Sequence, residues 1–396
     1  RDFCLSRGLG DVYKRQIWYY TSSSKSQNKN ALGLSIFMCL LALFVGFSDM
    51  FGGYDRYIYG EIFDNIADVT TMKGDYSDSL LYNFYSSEIG YTFLNVLISF
   101  FTENRYIFIL IVTLIIYTLL FISIKKYTVN YPLATILFLG LWFFFTFTYL
   151  RQVLGATIVW LGIQYVIERK FWRFLVVFLI GFSMHNSAII FFPLYFVPLR
   201  KFSPKLIVGV MLSLLVLGLS SLPNSLFEVY ESSSIVERHA EYNASGGLRV
   251  AYILEAFFFL YLILKNYRYI PTDKAHVVLL NMALIFCGIL LLFVRSENGG
   301  RLSWYYMMGI ISTLTFINKY RYNTLSLGSF LILGVCLFLY LRIYTNWQAY
   351  NLLSPYKTFL TDGYRENDII RKTYEYNNNY DEDKFCRKAF RFTPNF

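Results

Sequence analysis

Arg151 and Gln152 stand between Tyr131–Leu150 and Val153–Ile167, two stretches that carry no other charge. An arginine placed between two segments of bilayer-spanning character is costly, usually faces a cavity, and marks function by default. Its planar fork of donors never deprotonates at ordinary pH and suits phosphate oxygens. His185 is one of three histidines and sits in a polar interruption, Ser183-Met184-His185-Asn186, of another apolar run. It could donate to a phosphate oxygen or move a proton; the plain alternative is a hydrogen-bonded residue between helices. Arg249, Arg295 and Arg301 lie at the ends of later apolar runs. Several arginines around one cavity suggest a diphosphate ligand, with snorkelling to lipid headgroups as the competing role for Arg249 and Arg295. Asp55 and Glu88 are the acids nearest to helix ends in the acidic segment Asp49–Glu88. Either could take a proton from a sugar hydroxyl, its pKa raised by partial burial. Asp64, Asp68, Asp75 and Asp78 read instead as solvated acids or local ion pairs.

The elements that must position these groups are set by composition. The chain has 396 residues, 56% hydrophobic, 20% aromatic and only 16% charged, with a mean hydropathy of +0.43. A soluble domain has no way to bury that much apolar surface. Apolar runs recur from Ala31 to Arg342, most near the roughly 20 residues of a spanning helix, and the alternating segments of a membrane β-barrel are absent. The expected fold is therefore all-α, a polytopic integral membrane protein. The net charge of +10 comes from scattered basic residues between runs, which mark topology rather than nucleic-acid binding. Three of the five cysteines, Cys39, Cys287 and Cys336, lie inside apolar runs, while Cys4 and Cys386 sit at opposite ends. No disulfide framework, metal spacing or cofactor is implied.

Residues 1–16 read as an adapter-derived artefact rather than native sequence and are set aside; Ile17–Tyr20 reads as the stub of a truncated helix or as an interfacial aromatic anchor. Basic clusters at Lys125/Lys126, Arg169/Lys170/Arg173, Arg200/Lys201/Lys205, Lys265/Arg268/Lys274 and Lys319/Arg321 can all lie on the inner side under two conditions. Tyr91–Phe101 is too short to cross, and Phe174–Val197 must be a hairpin whose limbs each reach about 20 Å. The expected crossings are then 31–48, 106–124, 131–149, 152–168, 171–184, 187–199, 206–221, 249–264, 275–294, 303–318 and 324–342. This gives about 11 transmembrane helices within a domain over 17–342. External loops cover 49–105 and 222–248, the latter with Glu237, Arg238, His239 and Glu241, and a polar tail covers 343–396. Arg151, His185, Arg249, Arg295 and Arg301 all fall at outer helix ends, where positive charge calls for an anionic partner.

The run Tyr149–Phe196 (YLRQVLGATIVWLGIQYVIERKFWRFLVVFLIGFSMHNSAIIFFPLYF) resembles the core signature of the EpsG family, in which an Arg-Gln opens one helix and a His-containing turn follows. Gly53-Tyr54-Asp55 through Tyr59, Glu88-Ile89-Gly90-Tyr91, Arg301-Leu302-Ser303-Trp304-Tyr305, and Trp347 with Pro355-Tyr356 resemble further elements of that family. The resemblance spans roughly Ala31–Pro355 and departs from the family where Ser48 occupies the region of an arginine ahead of the Gly-x-Asp element. It implies a GT-C-like polymerase architecture with one more helix at the start, in the bacterial inner membrane, with the active site facing the periplasm or exterior. It implies inverting, metal-independent polymerisation of undecaprenyl-diphosphate-linked oligosaccharide repeat units into capsular, exopolysaccharide or O-antigen chains. The implied surroundings are membrane lipid, a flippase and a chain-length regulator, with no nucleic acid. Under that reading Arg151, Arg301, Arg295 and Arg249 hold the diphosphate with Gln152 beside them. His185 assists the leaving phosphate or acts as base, and Glu88 or Asp55 takes the acceptor proton. A lipid-linked oligosaccharide flippase or a membrane polysaccharide O-acyltransferase are the competing readings.

Overall fold

The computed structural model describes residues 31–48, 54–85, 87–220, 223, 247–296, 299–321, 327–346, 356, 358–360 and 387–392. The expectations about residues 1–16, a preceding helix, and Glu237, Arg238, His239 and Glu241 lie outside them. Among the described residues all regular structure is helical, and extended segments meet in an isolated antiparallel bridge of Ser48 with Thr358. Helix α1 (Ala31–Phe47) leads to α2 (Tyr54–Met72), α3 (Leu80–Tyr85) and α4 (Ile89–Ser99). Then come α5 (Arg105–Tyr127), α6 (Tyr131–Leu141), α7 (Phe145–Thr148), α8 (Leu150–Leu161), α9 (Ile163–Ile167) and α10 (Phe171–Met184). A 3-10 stretch, Asn186–Phe196, precedes α11 (Pro204–Leu219), α12 (Val250–Lys265) and α13 (Lys274–Leu292). A second 3-10 stretch, Gly299–Tyr306, leads into α14 (Met307–Arg321) and α15 (Leu327–Asn346).

Three spans are long and apolar enough to cross a membrane: α5 with 23 residues, α8–α9 together with 18, and α13 with 19. At 1.5 Å per residue these reach about 27–35 Å, the thickness of the hydrocarbon core. Local signals fix their starts. The Asn104 side chain caps α5 by accepting the Tyr106 N–H at 2.9 Å, Asn130 caps α6 ahead of Pro132, and Asp273 caps α13. Helix α13 is buried along most of its length between α11, α12 and α14. Helix α8 is wedged between α5 and α10. Close packing there depends on Gly155 and Gly181, where a Cβ on Gly155 would come within 3.1 Å of the Gly181 carbonyl.

The expected hairpin at 185–186 is present. Phe171 and Phe174 of α10 each lie 5.2 Å from the Tyr195 ring, and Arg169 donates to the Val197 carbonyl at 2.6 Å. The limbs differ in kind. Fourteen residues of α-helix rise about 21 Å, and eleven residues of 3-10 helix rise about 22 Å, so a shorter sequence returns to the same level.

Three expectations change. The 131–149 crossing is broken: α6 stops at Leu141, a turn follows, and α7 is separated from α8 by Tyr149. The segment Trp142–Thr148 is dominated by aromatic residues of modest helix propensity, and Trp142 packs 4.9 Å from Trp160 of α8. The 303–318 crossing begins as 3-10 rather than α-helix. The 49–105 segment is a helical layer rather than a loop, since α2 buries Tyr59, Phe63, Ile66 and Ala67 at helical spacing.

That layer also buries charge. Asp64 is fully buried rather than solvated and pairs with Arg105, also fully buried, whose Nε donates at 2.7 Å. Arg387 adds bonds to Asp68 at 2.7 Å and to the Asp64 carbonyl at 3.3 Å. The tail is thereby returned to α2. Arg391 reaches the Ser99 carbonyl at 2.7 Å and the Ala67 carbonyl at 2.9 Å. Tyr356 stacks on Phe44 of α1 at 4.3 Å. Removing one partner of a buried ion pair leaves an uncompensated charge, at a cost of about 3–5 kcal/mol. Asp64→Asn is therefore expected to lower the unfolding temperature of the detergent-solubilised protein sharply, and replacing Asp64 and Arg105 together by apolar residues to recover much of the loss.

Candidate active site

Arg151 lies in the first turn of α8, where the helix dipole disfavours a cation, and the preceding Tyr149 supplies no side-chain cap. Its surroundings compensate. Glu88, 5% exposed ahead of α4, forms an ion pair with Arg151 NH1. The guanidinium carbon lies 3.7 Å from the Tyr85 ring centroid, with Tyr59 and Tyr91 at 5.4 and 5.8 Å. Arg151 Nε donates to the Tyr59 hydroxyl at 3.3 Å. Three tyrosines from α2, α3 and α4 therefore form a cage around the one cation.

The second oxygen of Glu88 accepts the Asn186 N–H at 3.2 Å, and Asn186 Nδ2 donates to Ser87 at 2.8 Å. This ties α4 to the tip of the α10 hairpin. Gly90 makes the approach possible, since a Cβ there would collide with Ser183. An elevated Glu88 pKa was the expectation; the structure gives the reverse. Burial pushes the carboxyl upward, but the Arg151 guanidinium, nearby His185 and the Asn186 N–H outweigh it and hold the pKa below the ordinary glutamate value.

His185 leaves α10 in an extended conformation, φ −158° and ψ 123°. Its Nδ1 receives the Ser187 N–H at 3.2 Å and lies 2.7 Å from Ser187 Oγ, which is 2.9 Å from the Tyr305 hydroxyl. A backbone N–H only donates, so Nδ1 must accept, and the neutral ring carries its proton on Nε2. Burial, opposed by Glu88 and assisted by Arg151 and Arg301, lowers the His185 pKa to about 4. His185 is therefore a neutral hydrogen-bond donor at physiological pH, which favours the leaving-group role over that of base.

Arg301, on the second 3-10 stretch, stacks on Tyr149 with its guanidinium carbon 4.1 Å from the ring centroid and donates to the Tyr149 hydroxyl at 2.8 Å. No carboxylate among the described residues forms an ion pair with it. Gln152 is buried and donates to the Arg301 carbonyl at 3.2 Å, so it tethers α8 to that stretch. Tyr305 is fixed in turn by Trp160, whose indole N–H donates to its carbonyl at 2.8 Å.

The structure thus brings Glu88, Arg151, Gln152, His185 and Arg301 together. Arg249 and Arg295 form a neighbouring group: the Arg249 N–H donates to the Val294 carbonyl at 2.9 Å, and Arg295 is exposed in the turn after α13. Gly300 connects the two groups, because a Cβ there would strike the Tyr252 ring of α12. Asp55 is half-buried in the first turn of α2, one turn before Tyr59. Among the described residues no three His, Cys, Asp or Glu side chains gather as a metal site. Sequence reading missed Tyr59, Tyr85, Tyr149, Ser187 and Tyr305. Their signal was adjacency: Tyr149 precedes Arg151 by two residues and Ser187 follows His185 by two.

A profile of the EpsG family matches residues 23–358. The chain belongs to the EpsG family. No curated protein matches it, and no solved structure matches it. Family membership and the apolar helices make it a membrane protein of polysaccharide biosynthesis, and the matched range contains every residue of the site.

The His185 pKa carries a prediction. The unfolded chain, with a histidine near 6.5, binds a proton that the folded ring refuses until about 4. Stability from this group is therefore full above about pH 6.5 and lost as pH falls toward 4. His185→Gln is expected to flatten the acid side of the unfolding-temperature profile between those values while leaving its neutral side in place.

Proposed function

We propose that this EpsG-family chain polymerises lipid-diphosphate-linked oligosaccharide repeat units by inverting glycosyl transfer. One observation carries the reading: Arg301, with no acidic partner among the described residues, lies on the same end of the helices as the neutral, Nε2-protonated His185 and the Arg151–Glu88 pair. Such a set supplies fixed positive charge, a neutral donor and a carboxylate, the groups needed to expel a diphosphate and accept a hydroxyl proton.

In the reaction so assigned, an acceptor sugar hydroxyl attacks the anomeric carbon of the donor from the face opposite the lipid diphosphate. The new C–O bond forms as the anomeric C–O–phosphate bond breaks, and its electron pair leaves on the phosphate oxygen. Arg301 and the His185 Nε2–H stabilise that developing charge, which is the main electrostatic task of the step. Arg249 and Arg295 lie on the approach to Arg301 and would attract the anionic headgroup. The donor is assigned as a growing glycan on undecaprenyl diphosphate, at the outer face of the bacterial inner membrane. The inner-side basic clusters support that orientation.

The test is genetic and then kinetic. Deletion of the gene is expected to leave single repeat units at the cell surface without a ladder. Complete loss of surface glycan would indicate a flippase, and an intact ladder an acyltransferase. Removing one positioned donor for a developing oxyanion typically costs about 10²–10³ in rate. Arg301→Gln and His185→Ala, at normal abundance, are accordingly expected to abolish the ladder and to slow polymerisation by about that factor in purified protein. A restored ladder from either variant overturns the site assignment.

A further inference from the structure

Two groups that the reaction needs occupy each other in the resting chain. Arg151 NH1 is on one Glu88 oxygen, and the Asn186 N–H is on the other at 3.2 Å. A carboxylate in that position is a poor proton acceptor, and a guanidinium so paired is a poor phosphate ligand.

We propose that Glu88 is a stand-in anion on Arg151, displaced when the lipid diphosphate binds, and that the displaced carboxylate becomes the base for the acceptor hydroxyl. The proposal rests on the glycosyl-transfer reading above and adds an order to it: donor first, acceptor activation second.

The geometry supports an exchange of partner on a fixed guanidinium. The contacts that hold Arg151 in place are separate from its bond to Glu88. The Tyr85 ring covers its face at 3.7 Å, and the Tyr59 hydroxyl holds Nε at 3.3 Å. Both can persist while the outer fork changes from carboxylate to phosphate. Phosphate oxygens compete for the same fork and bring more negative charge to it.

The hairpin tip also survives the exchange. Asn186 is anchored through its side chain to Ser87 at 2.8 Å, and His185 through its ring to Ser187 at 2.7 Å, neither of which involves Glu88. A phosphate received by His185 Nε2–H and Arg301 would sit one residue from the N–H that Glu88 uses. Repulsion between the two anions then favours the carboxylate leaving.

Once released, Glu88 takes the proton of the acceptor hydroxyl as the glycosidic bond forms, and the lipid diphosphate departs with the electron pair of the broken C–O bond. Departure of the diphosphate returns Arg151 to Glu88, and the carboxylic proton passes to water. A base that is available only when the donor is seated does not act on an empty site.

The experiment uses the full-length protein in lipid nanodiscs with undecaprenyl diphosphate as the probe. If Glu88 competes for Arg151, removing its charge should tighten binding, because the competent state no longer has to be won from the ion pair. Glu88→Gln is expected to bind the probe about tenfold more tightly than wild type, the gain set by the lost competition, while giving no ladder in the deletion strain. Arg151→Gln is expected to bind at least about tenfold more weakly. Equal or weaker binding by Glu88→Gln, in protein that unfolds at the wild-type temperature, overturns the proposal.

A second measurement needs no variant. Carbodiimide modification of Glu88 in the wild-type chain, read by mass spectrometry, is expected to accelerate several-fold on addition of undecaprenyl diphosphate. Unchanged or slower modification overturns the exchange. The two readings fail separately. Loss of the polymerase reading shows as an intact ladder in the deletion strain, whereas loss of the exchange leaves the ladder missing and the binding order reversed.

Discussion

A guanidinium in the first turn of a helix opposes the helix dipole, and one end of this molecule is arranged around that opposition. Arg151 cannot leave α8, so the neutralising charge is brought to it from Glu88, 63 residues earlier in the chain. To deliver that carboxylate, α4 must lie against the end of α10, and a glycine at position 90 permits the approach. The tyrosines of α2, α3 and α4 complete the enclosure. The fold of the first hundred residues is thereby tied to the start of α8, and the Glu88 carboxylate extends the tie to the His185 turn.

A second buried charge set supports the first. Asp64 and Arg105 join α2 to the start of α5, and Arg387 and Arg391 bind the returning tail to the same layer. Buried ion pairs seldom add net stability over an apolar core, but they discriminate strongly between arrangements. Moving α2 away from α5 would leave full charges without partners. The layer carrying Tyr59 and Glu88 therefore has one favoured position against the helices below it.

Much of the site was legible because isolated polar residues stand out in an apolar sequence. Arg151, Gln152, His185 and Arg301 were found in that way, and the family resemblance fell on the same turns. Their roles were less legible, because roles depend on neighbours distant in the chain. The expectation of a raised Glu88 pKa followed from burial alone; the lowered value follows from Arg151 and the Asn186 N–H, neither of which is near it in sequence. The tyrosine cage was hidden among many tyrosines that suit a membrane interface equally well. Helix α2 was taken for a loop because hydropathy averages over its faces, although Tyr59, Phe63 and Ile66 repeat at helical spacing. The break at Trp142 has no hydropathy signal, since the segment stays apolar throughout.

The unequal limbs of the α10 hairpin act as a length standard for the site. Eleven residues in 3-10 form extend about 5 Å further than the same residues would as α-helix. Overwinding is thus a vertical coordinate: relaxing Asn186–Phe196 to the commoner helix would draw the imidazole roughly one helical turn away from Arg301 or pull Arg169 off its carbonyls at the far end. Pro193 within the stretch contributes no N–H to the shorter hydrogen-bond pattern and blocks the longer one, so the chain carries its own stop against that relaxation. The height of the histidine above the bilayer core is in this sense set by a choice of helical pitch, made several residues away from the ring it positions.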